Sequence, residues 1–152
     1  MTEARLSGRI AIAAAPAVVA AALHDPALLR RMIPGCSDIA PAGPDTWSAR
    51  IEKAAGPVTL RLVVQIALQR LPDRAGYMLT AQGKSLIAGS VSLRLALAFG
   101  GTDDFTVLEH DGSLRAEGLA GRLLQGNEAR VAARADQVFS RLRGHLEVAA
   151  RA

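Results

Sequence analysis

The sequence predicts an α+β fold in which a curved antiparallel sheet wraps around a long C-terminal helix, with two short helices after the first strand. Apolar and polar residues alternate over residues 4–12, which predicts that first strand. Two short apolar segments, 16–23 and 26–32, predict the helices, and a series of alternating segments predicts further strands. Over about 119–149 the apolar period changes from 2 to 3.6, which predicts the long helix.

The two short helices have clear boundaries in the sequence. Asp25 suits the N-cap of the second helix, and Pro26 suits its first helical position. Pro34 and Gly35 end that helix, because proline cannot continue a helix and glycine readily turns the chain. The chain therefore passes from helix to sheet near this point.

The middle of the chain predicts a meander of strands separated by turn residues. These strands cover 37–41, 46–53, 58–69, 75–84 and 87–99. Two shorter strands, 105–110 and 114–117, are expected to pair across Asp111-Gly112, since Asp-Gly favours tight hairpin turns. The sheet that results has one apolar face.

The C-terminal segment carries a broad apolar stripe at helical spacing. Gly126 lies inside the segment and is expected to loosen or kink the helix. A sheet that curls around one helix, with few large aromatic side chains, predicts a cavity between the two. An ordinary filled core built from the same residues is the alternative.

The inward-facing residues are the predicted ligand-binding residues. Asn127, near the helix stripe, would bind a polar head group if it faces inward, and is a helix-surface residue if it faces outward. The full predicted set is Leu60, Leu62, Val64, Ile66, Leu79, Leu93, Leu95, Leu97, Leu123, Asn127, Val131 and Phe139.

The composition fits one domain over residues 1–152 in a reducing, cytoplasmic setting. Half of the residues are hydrophobic and 3% are aromatic, so the interior is mostly aliphatic. The single cysteine excludes an internal disulfide, and three histidines do not form a zinc-like cluster. We expect no metal site, no signal peptide and no membrane-spanning segment.

The net charge of +4 comes mainly from arginine, because Lys53 and Lys84 are the two lysines among 18 basic residues. The arginines are scattered and aromatic side chains are scarce, which argues against nucleic-acid binding. A weak attraction to anionic lipid or to an acidic protein fits better. Simple solvated arginines are the alternative.

We expect no catalytic residues. His110, beside Glu109 and Asp111, is the best candidate for an acid or base, but its place beside the expected turn predicts an exposed side chain. His24 is expected to help cap a helix, and His145 is expected to lie on the exposed side of the last helix.

Cys36 is expected to be a buried structural thiol, because no neighbouring feature would activate it as a nucleophile. It closes the motif Ile33, Pro34, Gly35 and Cys36, which is expected to form the turn from helix to sheet and to line the cavity mouth.

Six short motifs spread over the chain occur together in one known family. They are Asp25-Pro26 with Leu28-Leu29, Ile33-Pro34-Gly35-Cys36, Gly56-Pro57-Val58, Thr106-Val107-Leu108, Gly118-Leu119-Ala120-Gly121-Arg122-Leu123-Leu124 and Val138-Phe139. The combination resembles the CoxG family, named for the CoxG subunit of carbon monoxide dehydrogenase, within the START-like helix-grip (SRPBCC) superfamily.

This resemblance implies a helix-grip fold and a non-catalytic accessory protein. It implies a quinone or lipid bound in the cavity, with no covalent cofactor. It also implies a molybdenum-containing, carbon monoxide dehydrogenase-type hydroxylase as partner and peripheral contact with the inner face of the cytoplasmic membrane. The alternatives are a helix-grip enzyme of the cyclase or hydrolase type, and a recruitment module without a ligand.

Overall fold

The computed structural model describes residues 1–151, apart from the side chains of residues 55, 58 and 149–151. This part of the chain holds seven strands and four helices. In chain order they are β1 (Thr2–Ile12), α1 (Pro16–Leu23), α2 (Pro26–Met32), β2 (Cys36–Gly43), β3 (Thr46–Ala55), β4 (Val58–Arg70), β5 (Gly76–Ser85), β6 (Gly89–Thr102), β7 (Phe105–Glu117), α3 (Gly118–Leu124) and α4 (Glu128–Arg151).

All seven strands form one antiparallel sheet in the order β1-β7-β6-β5-β4-β3-β2. Consecutive strands from β2 to β7 are neighbours, and β1 joins the far side of β7. Alternation along each strand sends one set of side chains to the face that packs against α4, here called the inner face. The predicted α+β fold, with a sheet that grips the C-terminal helix, is confirmed.

The core lies between the inner face and the helices. Leu142 of α4 is completely buried, as are Leu108 of β7 and Ile12 of β1. Phe139 and Leu146, one turn to either side of Leu142, belong to the same apolar cluster. The helical stripe read from the sequence therefore covers the β1–β7 side of the sheet.

Both short helices lie where the sequence predicts them. The Asp25 carboxylate accepts a hydrogen bond of 3.0 Å from the Ala27 amide at the start of α2. The Ile33 amide donates to the Leu29 carbonyl at the end of the helix. Gly35 then adopts a φ of +77°, a conformation that glycine accepts readily, and turns the chain into β2.

The predicted hairpin across Asp111-Gly112 is wrong. β7 runs unbroken through both residues, and Gly112 pairs with Leu6 of β1 and Leu95 of β6. A Cβ atom at position 112 would collide with the Arg94 carbonyl oxygen and would lie 2.8 Å from the Leu95 Cα. This glycine serves close strand packing rather than a turn.

The predicted single helix over 119–149 is also wrong in one respect. α3 ends at Leu124 and α4 begins at Glu128, so Gly126, with a φ of +80°, separates two helices instead of kinking one. The Ala120 amide donates to the Ala88 carbonyl at 2.7 Å, which ties α3 to the β5–β6 turn. The chain must then change direction before α4 can cross the sheet.

No helix in the described part of the chain is both long and apolar enough to cross a membrane.

Candidate functional site

The sheet residues predicted to bind a ligand share the inner face. Their strand pairing brings them into cross-strand rows, with Leu79 opposite both Leu68 and Leu95. The predicted members on β4, β5 and β6 are Leu60, Leu62, Val64, Ile66, Leu79, Leu93, Leu95 and Leu97. The inner face over these three strands is therefore a continuous aliphatic surface.

Burial varies along this surface. Leu95 and Leu97 are almost fully buried, whereas Leu62, Leu79 and Leu93 are half-buried. A half-buried side chain on the face that packs against a helix still has surface open to a small molecule. The inner face is thus tightly packed at some positions and accessible at others.

α4 contributes two of the predicted residues to this region. Val131 is half-buried near the start of the helix and packs against both apolar clusters of the core. Phe139, two turns later, is buried. The accessible helix surface therefore lies at the N-terminal end of α4.

Leu123 and Asn127 do not lie on the α4 stripe. Leu123 is 39% exposed. Asn127 is exposed, and its side-chain amide donates a hydrogen bond of 2.9 Å to the Leu123 carbonyl. The break at Gly126 explains this placement, because residues on either side of the break no longer share one helical periodicity. Of the two orientations open for Asn127, the structure has the outward one.

The motif from Ile33 to Cys36 forms the predicted turn from helix to sheet. A Cβ atom at Gly35 would collide with the Glu52 carbonyl, and the Gly35 carbonyl accepts a hydrogen bond of 2.9 Å from the Glu52 amide. Pro34 faces α4 across a small cavity of about 70 Å³ that Val138 also lines. The motif therefore seats α2 against both β3 and α4.

Cys36 is half-buried, less than the fully buried thiol that we expected. Its Sγ donates to the Asp38 carbonyl at 3.3 Å. Burial raises the pKa of the Cys36 thiol, while the Asp38 backbone hydrogen bond and the positive charge of Arg30 oppose that rise. The thiol is therefore held in its protonated, unreactive form near neutral pH.

A larger cavity has a volume of about 350 Å³. It lies at the end of the sheet, between α1 and the β4–β5 turn, and Tyr77 and Phe99 line it. Neither this cavity nor the small one beside Pro34 is lined by residues of the predicted ligand-binding set.

His110 corrects the sequence analysis most strongly, because it is buried rather than exposed. Only 4% of the residue is accessible, and β7 places it between Gly8 of β1 and Leu97 of β6. The error follows from the hairpin wrongly predicted at Asp111-Gly112. Alternation from Thr106 through Leu108 onto His110 was the signal for an inward-facing side chain.

The His110 ring lacks a full set of polar partners. Its Nε2 atom is buried without a hydrogen bond in the described structure and lies 3.6 Å from a carboxylate oxygen of Asp136. Burial lowers the pKa of His110, although the negative charges of Asp136 and Asp111 act in the opposite direction. The neutral imidazole is therefore the form that the folded protein favours.

The other two histidines have peripheral roles. His24 ends α1, with its Nδ1 atom 2.7 Å from the Ala20 carbonyl, and its ring meets Tyr77 edge-on at 4.8 Å. His145 is exposed on α4, as expected. Among the described residues, no group of three or more histidine, cysteine or acidic side chains is placed to hold a metal ion.

The family model for the CoxG subunit of carbon monoxide dehydrogenase matches residues 8–146, which includes the sheet, the turn motif and nearly all of α4. The chain belongs to the CoxG family. Within this CoxG domain, the Ile33–Cys36 turn and the inner face described above are parts of one matched unit. No curated protein sequence matches the chain.

Solved structures share the fold of this CoxG domain at low sequence identity. A conserved protein from Geobacillus kaustophilus is 20% identical, with a TM-score of 0.74 and 93% of each chain covered. A START superfamily protein from Mycobacterium smegmatis is 12% identical, with a TM-score of 0.64, over 95% of this chain and 97% of that one. The aromatase/cyclase Zhui from Streptomyces sp. R1128 is 18% identical, with a TM-score of 0.61, over 95% of this chain and 94% of that one. At these identities the likeness shows the helix-grip fold alone.

Proposed function

We propose that this CoxG-family protein binds an apolar molecule, a quinone or a lipid, between the inner face of the sheet and the start of α4. In this role it is an accessory protein that links a carbon monoxide dehydrogenase-type molybdenum hydroxylase to the inner face of the cytoplasmic membrane. The observation that carries the proposal is the accessible aliphatic surface of Leu62, Leu79, Leu93 and Val131.

The chemistry of this surface suits an isoprenoid or acyl chain. Each methylene group that leaves water for an aliphatic site contributes about 0.8 kcal/mol. A flexible chain needs shape rather than directed hydrogen bonds, and the four side chains offer no polar atoms. Binding by this surface therefore needs no covalent cofactor, and the ligand itself would be the carrier.

Family membership supports the accessory role. The matched family is named as a subunit of carbon monoxide dehydrogenase, which makes a large hydroxylase the natural partner. A carrier of this kind would present a bound quinone or lipid at a membrane surface. The net charge of +4 favours approach to anionic lipid.

Native mass spectrometry with organic extraction of protein purified gently from its own host tests the proposal. We expect one quinone or lipid per protein. Leu62→Gln and Leu93→Gln place a polar group on the inner face and should abolish this occupancy. Val63→Gln is the matched control, because Val63 is the next residue on β4 but lies half-exposed on the outer face.

Two outcomes would contradict the ligand-carrier role. One is an apo mass under gentle conditions together with no binding of added quinone or lipid, which would leave a recruitment module. The other is equal occupancy in Leu62→Gln and Val63→Gln, which would place the ligand elsewhere.

Catalysis, as in a helix-grip cyclase or hydrolase, is the second candidate, and the buried His110 favours it. A general acid or base must reach the reacting atom directly or through one water molecule. His110 instead stacks on Phe139 and directs Nε2 toward Asp136 and Gly8. Conversion of the extracted molecule during incubation, lost in His110→Gln, would establish catalysis and displace the carrier role.

A further inference from the structure

The cavity of about 350 Å³ has one apolar side formed by a helix and one formed by aromatic rings. Ala17 and Ala20 of α1 line it, and their small side chains leave the space open. Tyr77 and Phe99 line it from the sheet, with their rings edge-on and their centroids 5.8 Å apart. The volume falls within the range of small-molecule sites.

Two guanidinium groups stand at this cavity. Arg70 is the last residue of β4 and Arg74 lies in the following turn, and both line the cavity. Neither makes an ion pair within the described part of the chain, and Asp73, in the same turn, does not line the cavity. By contrast, the strand arginines Arg5 and Arg9 have carboxylate partners.

The turn that carries Arg74 is held in place by backbone contacts. The Leu71 amide donates to the Gly76 carbonyl at 3.0 Å, and the Phe99 amide donates to the Ala75 carbonyl at 3.0 Å. Gly76 packs so closely on β6 that a Cβ atom there would collide with the Leu97 carbonyl. A site whose walls are already positioned loses little entropy when it binds a ligand.

We propose that this cavity is a second binding site, which takes a small organic anion with an apolar body. The apolar body lies between α1 and the rings of Tyr77 and Phe99. The anionic head group, a carboxylate or a phosphate, accepts charge-assisted hydrogen bonds from Arg70 and Arg74. The site is distinct from the ligand surface around Leu62 and Leu93, and it does not depend on that proposal.

Isothermal titration calorimetry with three probes of one chain length tests the second site. Octanoate and octyl phosphate carry the two candidate head groups, and 1-octanol carries no charge. We expect the intact protein to bind at least one of the anions in a one-to-one complex. The anion that binds more tightly identifies the head group, and 1-octanol should bind at least about tenfold more weakly.

Variants separate this site from the rest of the protein. Arg70→Gln combined with Arg74→Gln should weaken anion binding at least about tenfold and leave 1-octanol unchanged. Arg94→Gln, an exposed arginine on β6, is the matched control and should change nothing. Ala17→Trp fills the cavity from the exposed surface of α1 and should abolish binding of all three probes.

Three results would overturn the proposal. Neither anion binds the intact protein; the double arginine variant binds both anions as tightly as Arg94→Gln; or Ala17→Trp still binds while Leu62→Gln does not. The last result would place the probe on the inner face and would support the carrier role instead. Anion binding that survives in Leu62→Gln supports the second site whether or not the carrier role holds.

Discussion

The imidazole of His110 stacks on the ring of Phe139, with the ring centroids 4.5 Å apart and the planes 20° from parallel. The contact joins β7 to α4 at the centre of the core. Gly8 of β1 lies against the edge of the imidazole and leaves it space. The helix is therefore seated partly by a titratable side chain, which has consequences for stability.

Stability should fall as the pH drops below the ordinary pKa of histidine. The pKa of His110 is lowered from 6.5 in the folded protein because burial disfavours the imidazolium. The unfolded chain then takes up a proton first, so the free energy of unfolding decreases from about pH 6.5 down to the folded-state pKa and is constant above this range.

Urea denaturation across about pH 5 to pH 8 measures this effect. His110→Gln should lose the His110 share of the pH dependence, whereas His145→Gln, on the exposed surface of α4, should keep it. A wild-type stability that rises toward pH 5 relative to His110→Gln would contradict the assignment.

Gly8→Ala should destabilise the protein by about 1–3 kcal/mol, because the added methyl group must displace the ring or the helix. Its Cβ would lie 2.5 Å from the His110 Cε1 atom and 2.7 Å from an Asp136 oxygen. Gly144→Ala is the control, since a Cβ there, inside α4, meets nothing within 4 Å. It should stabilise the helix by about 0.5–1 kcal/mol.

Thermal or urea denaturation of the two glycine variants gives the comparison. Equal stability of Gly8→Ala and wild type would show that the His110–Asp136 region adapts without cost. The contact between β1 and α4 would then be looser than the distances imply.

Gly112→Ala should cost at least about 2 kcal/mol, because its methyl group would collide with the Arg94 carbonyl of the neighbouring strand. Gly100→Ala, on β6, is matched in residue type and secondary structure, and its nearest contact would be an ordinary 3.8 Å. It should be neutral or slightly stabilising. If Gly112→Ala were as stable as Gly100→Ala, a turn at Asp111-Gly112 would again be tenable.

Cys36 should react slowly with a disulfide reagent such as DTNB at about pH 8. Burial raises the pKa of its thiol, so little thiolate is present, and the hydrogen bond to the Asp38 carbonyl holds the proton. The rate should rise several-fold or more in urea, where the thiol is solvated. A folded-state rate that equals or exceeds the unfolded one would show an activated thiol instead.

Much of the fold follows from signals that act over a few residues. The Asp25 cap and Pro26 mark α2, and the structure places both short helices on the predicted residues. Alternation along β4, from Leu60 to Leu68, correctly identified the inner face. Such signals are readable in the sequence because a cap, a turn or a side-chain period is a property of the local backbone.

The candidate site was only partly readable. The aliphatic residues of β4, β5 and β6 share one face as predicted, but their role as ligand contacts stays a prediction. Leu123 and Asn127 fell outside the helix stripe because α3 is tied to Ala88 and the chain turns at Gly126. That tie joins residues far apart in sequence, and periodicity cannot reveal it.

By itself the sequence determined the element types, the order of helices and strands, and the faces of the strands, since each depends on neighbouring residues. Tertiary structure alone decided the conformation of Asp111-Gly112, which pairs with β1 on one side and β6 on the other. Backbone pairing along the full length of β7 outweighs the local preference of Asp-Gly for a turn. The same pairing carried His110 into the core and set it against Phe139.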